Sequence, residues 1–400
     1  MKLLRTLSTR SLLLLIVAVA ALAGGAVAVA VAAGGGGGPT PPDKPLAEAL
    51  HDAATADAPA GITARIRFTN KLFPSGALLG NAGSALMSGA SGRLWITNDG
   101  RGRLELQSSA GDAQIVWNQD QVTIYDASSN TAYTAKLPTG TPDATSTTKD
   151  SGTPPTIADI NDALTKLGAE ATITAAQPDN VAGHEAYTVG LSPKHDGGLL
   201  GSVELAWDAA RGIPLRAAIY AQGSSTPVVE LVATHISYGP VAASDVDVSP
   251  PTGAKTVDLT PPAADNGAGT GKDTSVTGLD AVQAAAGFPV TAPDTLVGLP
   301  RKDVRLVGNG DSPAALAVYG QGLGAIVVVE RKVDAAAAGG TTPPGGSLSS
   351  LPTVSLDGVT GHELATQLGT IIQWERGGVS YVLAGSLPPA AAQEAARNLK

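Results

Sequence analysis

Residues 205–220 read LAWDAARGIPLRAAIY. Leu205 and Trp207 share one side of a strand by period-two alternation. Asp208 to Gly212 supplies turn chemistry, and Leu215, Ala217 and Ile219 then resume the alternation. The stretch is a β-hairpin with one apolar face, and what that face looks onto decides both fold and function. It is either filled by other parts of the chain or left open to a ligand.

Working outward, the same alternation recurs. ITARIRFT (62–69) puts Ile62, Ala64, Ile66 and Phe68 on one face and Thr63, Arg65, Arg67 and Thr69 on the other. From Leu94 the runs RLWIT, RLELQ, QIVWN, VTIYD and TAYTAKL follow one another, separated by NDGRG, SSAGD, NQDQ and ASSN. Such spacing predicts a meandering antiparallel sheet with one wet side. Further strands are expected at 171–176, 186–191, 203–208, 214–221 and 227–236. Leu46, Ala49, Leu50 and Ala53 fall at helical spacing, as do Ile157, Ile160, Leu164 and Leu167 behind Thr156. The order helix, sheet, helix, sheet suits an α+β unit over 46–258, a curved antiparallel half-barrel sheet with helices over its concave face.

The chain has 400 residues, no cysteine, 49 glycines and 28 prolines, and only 15% of it is charged. Disulfides, thiolate chemistry and a lipidated cysteine are excluded, and the turn-rich composition favours short strands. Lys2, Arg5 and Arg10 precede 22 uncharged residues, Leu12 to Ala33. A positive flank before a membrane-length apolar run predicts that 1–33 is a signal peptide, or that 11–33 stays as a membrane anchor. Either places the remainder outside the cytoplasmic membrane. Without the leader the net charge moves from −9 to −12, which argues against a nucleic-acid partner. Residues 34–45 (GGGGGPTPPDKP) read as a tether and 259–275 as a second linker. A smaller α+β domain is expected over 276–400, with strands near 303–307, 314–319, 324–332, 370–375 and 379–384 and a closing helix opened by Pro388 and Pro389. Pro138 to Pro155 and Ala335 to Ser350 read as polar inserts.

Motifs for catalysis or metal binding are weak. Gly183-His184-Glu185 and Gly361-His362-Glu363 repeat a phrase, but neither has helical HExxH spacing, and both read as a glycine turn entering a strand. Ser146-Thr-Thr-Lys149, Ser244-Asp245-Val246 and Lys255-Thr256-Val257 only echo the motifs of penicillin-recognising enzymes, since Ser146 lies in a polar insert. Gly320, Gly322 and Gly324 run into a strand instead of opening a helix, which predicts a hairpin turn and no phosphate loop. Asp245 and Asp247 read as alternating positions of a terminal strand. No metal site, no cofactor and no enzymatic activity is expected.

Several phrases carry a resemblance. WDAARGIPLRAAIYAQGSSTPVVELVATHISYGPVAASDVDVSPPTGAK resembles the closing strands of the LolA-like superfamily, and GRLWI, VWNQDQVTIYD and VAGHEAYTV match its strand order. Downstream, AAAGFPVTAPDTLVGLP, ALAVYGQGLGAIVVVE and YVLAGSLPPAAAQEAARNL are similar to the small C-terminal domain of RseB/MucB-type regulators. The resemblance implies a bacterial envelope protein with an open half-barrel and helices over its mouth. It also implies an apolar cavity for an acyl chain or lipoprotein and, on the regulator side, binding of an anti-sigma factor or another envelope protein. The long Gly/Pro/Thr inserts depart from that pattern.

The inward face of the sheet supplies the expected cavity lining: Ile66, Phe68, Leu94, Ile96, Leu104, Leu106, Ile115, Trp117, Ile124, Leu205, Trp207 and Ile219, none of them charged. At about 0.8 kcal/mol per methylene, a 16-carbon chain gains roughly 10 kcal/mol on such a surface before ordering costs. Leu78, Leu79, Leu86 and Met87, in a glycine-rich segment over 72–92, together with Ile160 and Leu164, are the expected lid.

Overall fold

The computed structural model describes residues 38–72, 85, 89–136, 154–194, 198–258, 276–307, 313–333 and 351–400. The leader, most of the tether, the first polar insert up to 153, the second polar insert and Leu78, Leu79, Leu86 and Met87 lie outside the described residues. Two compact units are present, one built around residues up to 192 and from 201 to 258, the other around the residues from 276 on.

In the first unit helix α1 (Leu46–Thr55) leads into strand β1 (Gly61–Asn70) and a meander: β2 (Ala90–Thr97), β3 (Gly102–Gln107), β4 (Ala113–Trp117), β5 (Gln121–Asp126) and β6 (Thr131–Lys136). Helix α2 (Ile157–Glu170) follows, then β7 (Ala171–Ile173), β8 (Gln177–Val181), β9 (His184–Pro193), β10 (Leu200–Asp208), β11 (Pro214–Ala221), β12 (Pro227–Tyr238), the one-turn helix α3 (Ala243–Val246) and β13 (Lys255–Asp258). They form one sheet in the order β13-β6-β5-β4-β3-β2-β1-β12-β11-β10-β9-β7, with β8 also on β9. The path has two free ends, so the sheet is an open half-barrel and the unit is α+β, as expected. Edge strand β13, missed in the sequence, departs from the antiparallel rule by running parallel to β6.

The quoted hairpin forms because Asp208 closes its turn. The Asp208 carboxylate accepts from the amides of Ala210 and Arg211, both at 2.9 Å, while the Asp208 amide donates to the Ile213 carbonyl at 2.8 Å. Gly212 has φ +65°, and a Cβ there would stand 2.3 Å from the Ala53 carbonyl oxygen, so the turn needs glycine both for backbone and for the seat of α1. Leu205 and Trp207 are buried in a cluster with Tyr187, Val189, Leu191 and the α1 residues Ala49 and Ala53. Leu167 of α2 and Ala217 pack against it.

Two expectations are corrected. Asp245 and Asp247 do not alternate on a strand: 243–246 is a helical turn that buries Val246 against β2 and β3. Arg103 holds it by donating to the Asp245 carbonyl, and Arg101 holds it through a two-pronged contact with the Asp247 carboxylate at 2.8 and 2.9 Å. Gly183 (φ +85°) does turn the chain into β9, but Gly361 lies inside a strand. The turn there is made three to four residues earlier by Asp357 and Gly358, at φ +51° and +89°.

The second unit is an eight-stranded antiparallel sheet, β14 (Thr295–Leu296), β15 (Leu299–Val307), β16 (Ala314–Tyr319), β17 (Ile326–Lys332), β21 (Val379–Gly385), β20 (Thr370–Arg376), β19 (Val359–Ala365) and β18 (Thr353–Leu356) in spatial order. Helices α4 (Leu279–Ala286) and α5 (Pro389–Asn398) cover one face through Val282, Ala286, Ala392, Ala395 and Ala396. Gly320 to Gly324 is the β16–β17 hairpin turn, as its run into a strand predicts. Strands β14 and β18 and helix α4 were not foreseen, and β19 was expected only as the strand entered at Gly361.

Candidate functional site

The cross-strand register builds the site. Ile62 pairs with Ile96, Ile96 with Gly102, Gly102 with Trp117 and Trp117 with Val122. The next row on the same face runs Ala64, Leu94, Leu104, Ile115, Ile124, Tyr133. A third runs Ile66, Gly92, Leu106, Ala113, and Phe68 stands beyond it beside Leu231. Because side chains alternate along each strand, Ile66, Phe68, Leu94, Ile96, Leu104, Leu106, Ile115, Trp117 and Ile124 share one face; the first two rows carry no charge, and the third continues from Ala113 to Asp126 on β5. Ile219 reaches the same face through Val229 and Asn70.

Burial divides this face. Ile62, Ala64, Ile66 and Leu106 are core, with Phe68, Leu94, Ile96 and Leu104 packed half-buried against them. Ile115, Trp117, Val122, Ile124 and Tyr133, on β4 to β6, are half-buried and join no core cluster among the described residues. Leu205 and Trp207 lie under α1. Eleven of the twelve expected lining residues therefore occupy three environments, closed core, its margin, and a partly accessible apolar surface centred on β4 and β5, while Ile219 is half-buried apart from them on β11.

Trp117 is fixed on that surface. Its ring lies over Gly102, where a Cβ would come within 2.0 Å, and its Nε1 donates to the Gly100 carbonyl at 3.0 Å. The polar edge of the indole is thus satisfied by backbone, leaving its apolar body on the open part of the face. Val122 and Tyr133 were missed as site residues, although the alternation of VTIYD and TAYTAKL marks both.

Helix α2 starts at a capping box. The Thr156 hydroxyl accepts from the Asp159 amide, and the Asp159 carboxylate accepts from the Thr156 amide at 3.0 Å. Of its apolar stripe only Ile160 is buried; Leu164 and Leu167 are half-buried and Ile157 is 43% exposed. Its apolar side is incompletely covered, whereas α1 buries Ala47, Ala49, Ala53 and Ala54.

His184 lies 3.2 Å from Asp208 and edge-on to Tyr238, whose hydroxyl donates to Asp208 at 2.7 Å. Burial, with the Asp208 charge, pushes the Tyr238 phenol well above its usual range. The group locks the hairpin and carries no further ligating side chain. His362 lies 3.4 Å from the Leu351 carbonyl oxygen.

No protein-family model matches the sequence, and no curated protein matches it. Solved structures do. A complex of MucB with MucA(peri) is 12% identical with a TM-score of 0.43, over 89% of this chain and 98% of the other. The MucA/MucB complex of Pseudomonas aeruginosa is 14% identical with a TM-score of 0.43, over 88% and 96%. A LolA superfamily protein from Nitrosomonas europaea is 10% identical with a TM-score of 0.21, over 51% of this chain and 98% of the other. These likenesses lie at 14% identity or less and at TM-scores below 0.5.

Proposed function

We propose that the chain is a non-catalytic, extracytoplasmic envelope protein that binds the acyl chain of a lipid or lipoprotein on the inner face of β4 to β6, as a carrier or sensor. The observation behind this reading is the surface of Ile115, Trp117, Val122, Ile124 and Tyr133, which is apolar, aligned in register and half-buried. Contiguous apolar patches that the chain does not itself cover mark interaction sites when they are large. The incompletely covered stripe of α2 is a second apolar element able to close over a bound chain. The leader acts as a signal peptide or an anchor.

Native mass spectrometry of the full chain, expressed with its own leader and purified gently, tests the reading. A co-purifying species of lipid mass is expected, lost in Trp117→Asp and retained in Asp245→Asn. A protein that stays lipid-free after incubation with lipids would refute it. That outcome would favour the other reading of the fold, a regulator that docks an anti-sigma factor or another envelope protein.

A further inference from the structure

The outer face of the same sheet carries a second, opposite chemistry. Arg65 and Arg67 project from β1, and the register sets Arg93 of β2 directly across from Arg65. Together with Ser91, Gln107 and Thr234 they line a cleft of about 460 Å³. Cross-strand neighbours lie about 5 Å apart at Cα, and positions two apart on a strand about 7 Å. Three exposed arginines thus line one cleft from neighbouring positions.

Their pairing sets them apart. The first unit has seven described arginines. Arg101 is held by Asp99 and Asp247, Arg103 by Glu105, and Arg216 by Glu204 and Glu230, while Arg211 stacks on Tyr238. The other three, Arg65, Arg67 and Arg93, have no side-chain hydrogen bond or ion pair among the described residues, and all three line this cleft. Among its described lining residues the one carboxylate is Glu105, which stands opposite Arg93 in the β2–β3 register and accepts from Arg103 through one oxygen. Like charges directly opposite across a strand pair destabilise a sheet. A chain of net charge −9 has carboxylates to spare, yet it leaves three cations together.

We propose that this cleft is an oxyanion site that takes a phosphate monoester group. A carboxylate has two oxygens and one charge, enough to saturate one arginine fork. A phosphate monoester offers three terminal oxygens and a charge near −2, which matches three forks. The cleft exceeds the size of the anion alone, which leaves space for the group it is attached to, and Ser91, Gln107 and Thr234 supply neutral hydrogen-bonding partners for it.

The test is titration of the full chain with inorganic phosphate, glycerol 3-phosphate, glucose 1-phosphate and an acidic hexapeptide, read by calorimetry and by the rise in Tm. Phosphate-bearing ligands are expected to bind, to bind more tightly at pH 7.5 than at pH 5, and to lose at least about tenfold in affinity in each of Arg65→Gln, Arg67→Gln and Arg93→Gln. Equal affinity for free phosphate and for the esters would make the free anion the ligand. Tighter binding of an ester would show that the attached group is read as well. Absence of phosphate binding, its survival in the triple Gln variant, or binding of the peptide alone would overturn the proposal. Circular dichroism checks that the triple variant is folded. Its lipid retention should match that of the unmodified chain, so the outer and inner sites fail separately.

Discussion

Glu330 provides a direct test of how the second unit is held together. It follows Ile326 and Val328 on the buried face of β17, at a position where alternation asks for an apolar residue, and it is 1% exposed. One carboxyl oxygen accepts from the Thr291 amide at 2.8 Å, while the other has no hydrogen-bond partner. Burial raises its pKa from 4.5 to about 7, with the Thr291 contact opposing. The folded state therefore holds the proton more tightly than the unfolded chain does. Its stability contribution is fully present below about pH 4.5 and is lost as pH rises through about 7. At about 1.4 kcal/mol per pH unit, the loss amounts to about 3 kcal/mol. Glu330→Gln, which cannot ionise, should match the unmodified protein near pH 4.5 and exceed its stability by about 3 kcal/mol at pH 8. Urea unfolding followed by hydrogen exchange in peptides from β17 and β21 reports on this unit alone. The same pH dependence in both proteins would refute the reasoning.

Three further outcomes follow from the first unit. Asp208→Ala removes the acceptor for two turn amides and for Tyr238 and should cost about 3 kcal/mol, read as a lower urea midpoint. Gly212→Val forces a branched residue to φ +65° and into the Ala53 carbonyl, so it should destabilise by at least about 2 kcal/mol and loosen α1, visible as faster exchange over 46–55. Trp117→Asp should lower affinity for a fluorescent fatty-acid probe by at least about 100-fold through a charge in an apolar lining, with a much smaller change in stability because the site is half-buried.

Most of the first unit is legible in the sequence because its strands face water on one side. Alternation in ITARIRFT, RLELQ and VTIYD marks both element and face, and the register carries those faces into common rows. Where that contrast fades, so does the signal. β8 (QPDNV) has no apolar alternation and was not expected, although its neighbour β9 was. The DVDV pattern imitates a strand, while two arginine contacts hold the preceding turn as helix. In the second unit, β18 is four residues long and half Thr and Ser, so its pairing on β19 supplies what local pattern does not. The arginine cleft was half legible: Arg65 and Arg67 were assigned to the wet face, but pairing with Arg93 is long-range and depends on register.

The opening stretch settles how an apolar face is to be read. Leu205 and Trp207 satisfy every sequence criterion for a cavity lining, yet their own chain fills the space above them, with Ala49 and Ala53 of α1 presented by a glycine turn that admits no side chain. Trp117 satisfies the same criteria and stands half-open. The difference lies in what the chain can bring over each strand. The α1 helix follows a short path into β1 and is pinned to the β10–β11 turn, so the β9–β11 end of the sheet is closed. Over β4 to β6 the apolar rows continue, and no described helix packs a core cluster onto them. An apolar ligand there gains its burial without displacing packed core, whereas one that reached Trp207 would first have to lift α1. The same alternating pattern thus gives packed core at one end of the sheet and a half-buried apolar face at the other, and burial separates them where hydropathy does not.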